Sequence, residues 1–105
     1  MRDLSPAQLS ERLAAPEPPL LLDVREPWEF EHCRIEDSVL VPMGTIPAQC
    51  SRLDPNRETV VICHHGVRSR QVAHFLERTG FTQVFNLAGG VDAWARDVDV
   101  HMKTY

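Results

Sequence analysis

The sequence has 105 residues, 43% of them hydrophobic and 25% charged, with a formal net charge of −4. That length suits one domain covering residues 1–105, and the composition is that of a globular rather than a disordered chain. The acidic balance argues against a nucleic-acid partner and leaves any anionic substrate dependent on a local positive field.

The chain opens with a helix signature. Ser5 is a candidate N-cap, Pro6 suits the first helical position and Gln8 completes a capping box, with Leu4 and Leu9 placed as a hydrophobic staple. The proline-rich segment at residues 15–19 must end that helix. Residues 20–24, LLLDV, read as a short strand buried on both faces. Pro27 starts one or two helical turns. SVLV, before Pro42, is a second strand, and TIPAQCSRL then reads as helical, with Pro47 in its first turn. TVVI, ending at Ile62, is a third buried strand. A helix is expected over residues 69–79, with Gly80 as its stop. QVFNL is a further strand, followed by a Gly-Gly pair and a short helix over residues 91–96. The tail VDVHMKTY is too short and mixed to assign. Short apolar strands alternating with helices predict an α/β fold with a mostly parallel central sheet and helices on both faces.

Cysteine is scarce: Cys33, Cys50 and Cys63. The number is odd and the spacing fits no zinc pattern. The N-terminal stretch does not read as a secretory signal, and no apolar run approaches the ~20 residues that span a bilayer. Free thiols in a cytoplasmic chain with no membrane partner are the expectation.

Cys63 stands directly after the third strand. In open α/β sheets, ligands bind outside the carboxyl ends of the strands. The loop after Cys63 runs into a helix N-terminus, where unpaired N–H groups and the helix dipole favour an anion. Gly66 permits a positive φ, and Arg68 and Arg70 add positive charge. A cysteine so placed should ionise more readily than a free thiol, and the thiolate is the nucleophile. The competing reading is a small buried hydrophobe. It accounts for Cys63 but not for the glycine, the arginine and the helix start at these offsets. His64 and His65 are adjacent, so their rings should point in different directions. With no carboxylate cluster beside them, they read as the mouth of an anion pocket or as solvated groups rather than as metal ligands.

Four stretches in this order and spacing resemble the rhodanese family of sulfurtransferases, specifically its single-domain members. They are LLLDVREPWEFEHCRI, VPMGTIP, ICHHGVRS and NLAGGVDAW. The first carries Asp23, Arg25, Glu29 and Phe30, and the third has the form C-x-x-G-x-R-S. The resemblance implies a persulfide on Cys63, held by the N–H groups of the loop His64, His65, Gly66, Val67, Arg68 and Ser69. Asp23 and Arg25 would brace the loops. The donor would be a small sulfur anion such as thiosulfate, and the acceptor cyanide or a thiol or dithiol protein. No cofactor is implied, because the sulfur travels covalently. Two alternatives remain open: a protein-to-protein sulfur relay with little small-molecule turnover, and a cysteine phosphatase-like enzyme. Phosphatases resembling this fold use C-x5-R, whereas Cys63 to Arg68 is C-x4-R, a smaller cradle. Cys33-Arg34-Ile35 and Glu36-Asp37 stand where the family usually has Gly-His-Ile and Pro-Gly, which leaves another backbone path open there. Cys33 is then either a second thiol able to close a disulfide with Cys63 or a packing residue in place of glycine.

Overall fold

Three near-continuous apolar runs build the centre of the sheet. In the computed structural model, which describes residues 1–105, these are β2 (Leu20–Asp23), β4 (Thr59–Ile62) and β5 (Val84–Leu87). Val60, Val61 and Ile62 are fully buried, as strands covered on both faces must be. Each such side chain stabilises the fold by about 1.5–3 kcal/mol relative to exposure. Two edge strands complete the sheet, β1 (Arg2–Leu4) and β3 (Val39–Leu40), in the order β1-β5-β4-β2-β3. Every neighbouring pair is parallel, so the sheet is parallel throughout rather than mostly so.

Side-chain alternation divides the core between two faces. Val60 and Ile62 point to one, with Leu9 of α1 (Pro6–Leu13) and Val91 and Trp94 of α5 (Gly90–Asp97). Val61 and Cys63 point to the other, with Ile46 of α3 (Ile46–Gln49) and Val72, Ala73 and Leu76 of α4 (Val67–Arg78). Helices therefore cover both faces. The capping box of α1 is formed: the Gln8 N–H donates to Ser5 Oγ at 3.1 Å, and the Ser5 N–H donates to Gln8 Oε1 at 2.9 Å. No helix is long and apolar enough to cross a membrane.

Three departures from the sequence reading have local causes. Residues 2–4 are a strand paired with residues 85–87, where the sequence pattern shows only the lead-in to a helix. Three residues are too few to show an alternation. The TIPAQCSRL segment is not one helix: a 3-10 turn at Met43–Thr45 leads into it, and the single turn of α3 and a second 3-10 turn at Cys50–Arg52 follow. Helix α4 starts at Val67, two residues earlier than expected, because Gly66 caps it in the left-handed conformation at φ +94°. The remaining helix, α2 (Pro27–His32), follows β2 as predicted.

The missing glycines do not force an extreme change in the loop after α2. Asp37 itself takes the left-handed conformation, at φ +67°. Aspartate is among the few residues that tolerate it. Cys33 packs against the core cluster on the α1 and α5 face, whereas Cys63 belongs to the opposite face. That is the arrangement of a packing residue.

Strand order positions the candidate site. The chain leaves β2 for β3 on one side and leaves β4 for β5 on the other. The carboxyl ends of β2 and β4 therefore flank the point where the order reverses, the usual place for a ligand crevice in such sheets. Asp23 and Cys63 stand at those two ends.

Candidate active site

Cys63 is 1% exposed, one residue beyond β4. The chain then turns through His64 and His65 into Gly66. A side chain at Gly66 would be strained by its φ and would press to 3.1 Å from the Gly89 nitrogen. The turn brings the Gly66 N–H to 3.1 Å from Cys63 Sγ, and it donates to the sulfur. The first-turn N–H groups of α4 come immediately after and have no partner within their own helix. The other end of the loop is fixed by α5. The N–H groups of Val91 and Asp92 donate to the carbonyls of Cys63 (2.9 Å) and His64 (3.1 Å). A Cβ on Gly90 would fall 2.3 Å from that Cys63 carbonyl, so this approach requires glycine.

A second chain of contacts holds the sulfur from the side. Ser69 Oγ lies 3.3 Å from Cys63 Sγ and donates to Asn86 Oδ1. Asn86 Nδ2 donates to Asp3 Oδ1 at 3.0 Å and to the Gly66 carbonyl at 3.4 Å. Asp3 also accepts from Arg70. The Asn86 hydrogen bond, with help from Arg70 and against some burial, holds the Asp3 carboxyl below its ordinary range.

Asp23 and Arg25 tie the end of β2 to the loop after α2. Both are completely buried. Arg25 Nε and Nη2 donate to Asp23 Oδ1 (2.9 Å) and Oδ2 (2.8 Å), and Nη2 also reaches the Cys33 carbonyl at 2.7 Å. Burial works against the Arg25 charge, but Asp23 and Tyr105 outweigh it and raise the guanidinium pKa. Arg68 donates through both Nη atoms to Glu29, at 2.7 and 2.9 Å. That contact, ahead of the Glu26 N–H and Tyr105, lowers the Glu29 pKa to about 2 against its burial.

Two expectations about charge are corrected. Arg68 and Arg70 are not free cations facing the thiol; each is paired, with Glu29 and Asp3. The local attraction for an anion therefore comes mainly from backbone amides. The two histidines do not diverge. Their rings stack at 3.9 Å, and the Asp92 carboxylate lies 3.8 Å from His65 Nδ1, so one acid does accompany them. Burial, then the neighbouring His65, lowers the His64 pKa, which weakens its service as a cation at neutral pH. Val67 is 66% exposed.

Comparison with known proteins decides the family. The rhodanese-like domain model matches residues 5–97. The chain belongs to the rhodanese-like family. A sulfurtransferase from Allochromatium vinosum is 38% identical over 96 residues, covering 91% of this chain and 90% of that protein. The thiosulfate sulfurtransferase GlpE of Pseudomonas syringae is 36% identical over 75 residues, 71% of each chain. The crystal structure of a rhodanese-like domain protein from Staphylococcus aureus superposes with a TM-score of 0.86 at 30% identity, covering 100% of this chain and 99% of the other. This rhodanese-like chain is thus of the sulfurtransferase or sulfur-carrier kind.

Three residues around the site have roles that the sequence does not display. Asn86 and Glu29 lie within the quoted family stretches, but nothing in their spacing shows that they face the loop. Tyr105 has no signal at all. Its hydroxyl donates to Glu29 Oε2 at 2.7 Å and accepts from Arg25 Nη1 at 2.9 Å, while its ring stacks on His64 at 3.9 Å. The unassigned tail thus fastens the candidate site of the rhodanese-like fold.

Proposed function

We propose that the chain moves a sulfane sulfur from thiosulfate or a persulfide donor to a nucleophilic acceptor through a persulfide on Cys63. The observation that carries this is the Gly66 N–H on Cys63 Sγ, at the mouth of a six-residue loop that opens into a helix N-terminus. Cys63 gives its proton to solvent and its thiolate attacks the outer sulfur of thiosulfate. The new Sγ–S bond forms as the donor's S–S bond breaks, and sulfite leaves with the electron pair. The amides of the loop and of the first turn of α4 hold the charge on the outer sulfur. Cyanide or a thiolate then attacks that sulfur and takes it, returning Cys63 as thiolate. The short C-x4-R spacing favours one sulfur atom over a tetrahedral phosphoryl group.

Exposure of Trp28 (61%) and Val67 (66%) favours a protein acceptor as a second reading. Each is next in sequence to a member of the Glu29–Arg68 pair, so apolar surface lies beside the loop. Intact mass after thiosulfate treatment tests the chemistry. The protein should gain one sulfur atom, and Cys63→Ser should gain none. Persulfide on the Cys63→Ser chain would refute the assignment. Discharge by a reduced dithiol protein much faster than by cyanide would select the relay reading.

A further inference from the structure

Diverging rings and the lack of a carboxylate are the reasons, on sequence grounds, to discount a metal ion at His64 and His65. Neither holds in the folded chain. The two rings stack at 3.9 Å, and Asp92, in the first turn of α5, brings its carboxylate beside them. One ligand atom from each of these three side chains lies within 4.8 Å of the other two, and no other group of three such side chains converges in this way. The backbone assembles the set. The N–H groups of Val91 and Asp92 already join α5 to the loop, at the carbonyls of Cys63 and His64. Tyr105 also stacks on the His64 ring, at 3.9 Å, and holds it in place.

Stacked rings do not by themselves aim two lone pairs at one point. In a tetrahedral site with bonds of about 2.0–2.2 Å, the ligand atoms stand roughly 3.4 Å apart. With 62% of its side chain exposed, His65 can tilt off His64 to reach that spacing. Asp92 gives up only a 3.4 Å contact with the exposed Arg96. We infer that His64, His65 and Asp92 form a site for a late divalent transition-metal ion, Zn²⁺, Co²⁺ or Ni²⁺, which ties the loop after β4 to α5. Two imidazoles and one carboxylate suit these ions, whereas Mg²⁺ and Ca²⁺ take shells of oxygen. Three protein ligands leave a position open for water or a small anion. The Cys63 sulfur is outside the set, buried against the Gly66 N–H and Ser69 Oγ.

The test is a titration of the untagged full chain, thiols reduced, with Co²⁺ followed by visible absorption and with Zn²⁺ followed by calorimetry. One ion should bind per chain, with the weak ligand-field bands of a nitrogen and oxygen site. His65→Ala and Asp92→Asn each remove one ligand at a side chain that solvent reaches, so folding should survive. Each should weaken binding by at least about 10-fold, the cost of losing even a ligand's supporting partner. His74→Ala removes an exposed histidine that faces Glu77 instead and should change nothing. Because the ion binds two segments as the fold pairs them, it should raise the urea midpoint of the wild type and leave that of Asp92→Asn unmoved. Absence of saturable binding at millimolar Co²⁺ would overturn the proposal. So would an ion whose affinity neither variant lowers, or an intense sulfur-to-cobalt band that disappears when one of the three cysteines is changed to serine. Binding without a rise in the wild-type midpoint would overturn the tie between loop and helix. None of these measurements involves a sulfur donor, so failure of sulfur transfer and failure of the metal site are separate results.

Discussion

Glu29 shows how much of the site one side chain can hold. Its carboxylate accepts from Arg68, Tyr105 and the Glu26 N–H, and little of it reaches solvent. Its ordinary pKa of 4.5 is lowered to about 2, with Arg68 the largest cause. A lowered carboxyl favours the folded state above pH 4.5, and the benefit drains away as pH falls through 2. Arg68 is partly in water, which limits the size of the effect to about 2 kcal/mol. Urea denaturation from about pH 6 down to about pH 2 should show that decline in the wild type and a flatter profile in Glu29→Gln. An equally steep decline in the variant would mean that other carboxylates cause it. Tyr105 gives the opposite sign. Burial, then the opposed effects of Arg25 and Glu29, raise its pKa from 10.0 to about 12. Its contribution is complete below pH 10 and is lost as pH rises through 12. Tyr105→Phe keeps the ring on His64, should cost about 1 kcal/mol near neutral pH, and should lack that alkaline decline.

At the level of elements, the loop after β4 is held by the start of α5. The N-terminal amides of that helix bond the carbonyls of Cys63 and His64, and only hydrogen at Gly90 leaves room for the approach. Gly90→Ala should therefore displace the loop backbone. A stability loss above about 2 kcal/mol and slower persulfide formation are expected. A variant matching the wild type in denaturant midpoint and in mass gain would show that the loop yields freely. Asp37→Gly tests the other strained turn. Relief of a left-handed residue outweighs the extra chain entropy of glycine, so the denaturant midpoint should rise, by up to about 1 kcal/mol in stability. A fall would mean that the Asp37 side chain contributes something else there. The elements most legible in the sequence are those with uninterrupted apolar runs or complete caps: TVVI, LLLD, and the helix behind Ser5 and Gln8. Helix α4 is legible except for its start. Gly66 has the look of a loop residue and is also the N-cap, a position where the sequence signal is normally a polar side chain. Strand β1 is illegible because its pairing partner lies more than 80 residues away, and tertiary pairing rather than local pattern makes it a strand.

Across the whole molecule, the architecture is legible in the alternation of strands and helices, and the sulfur's position in the rule about strand ends. Which distant polar groups meet behind the loop is not legible, since no periodicity encodes a contact such as Tyr105 on Glu29. Edge strand β1 matters more than its three residues suggest. Leu4 is 5% exposed and belongs to the core on the α1 and α5 face. Leu4→Ala should cost about 2–4 kcal/mol by denaturant unfolding, and an unchanged midpoint would show that the strand is ornamental. The bonds around Cys63 also fall into two ranges. Those touching the sulfur span 3 and 6 residues. Those anchoring the surroundings span 83 residues, from Asp3 to Asn86, and 80, from Arg25 to Tyr105. Contacts of the first kind close early at small entropic cost, and those of the second close late. During synthesis on the ribosome, the thiol and its nearest partners are all made before Asn86 can meet Asp3, and long before Tyr105 is added. A nascent chain therefore carries the nucleophile without its restraints, and reactivity at Cys63 should serve as a clock for the final stage of folding.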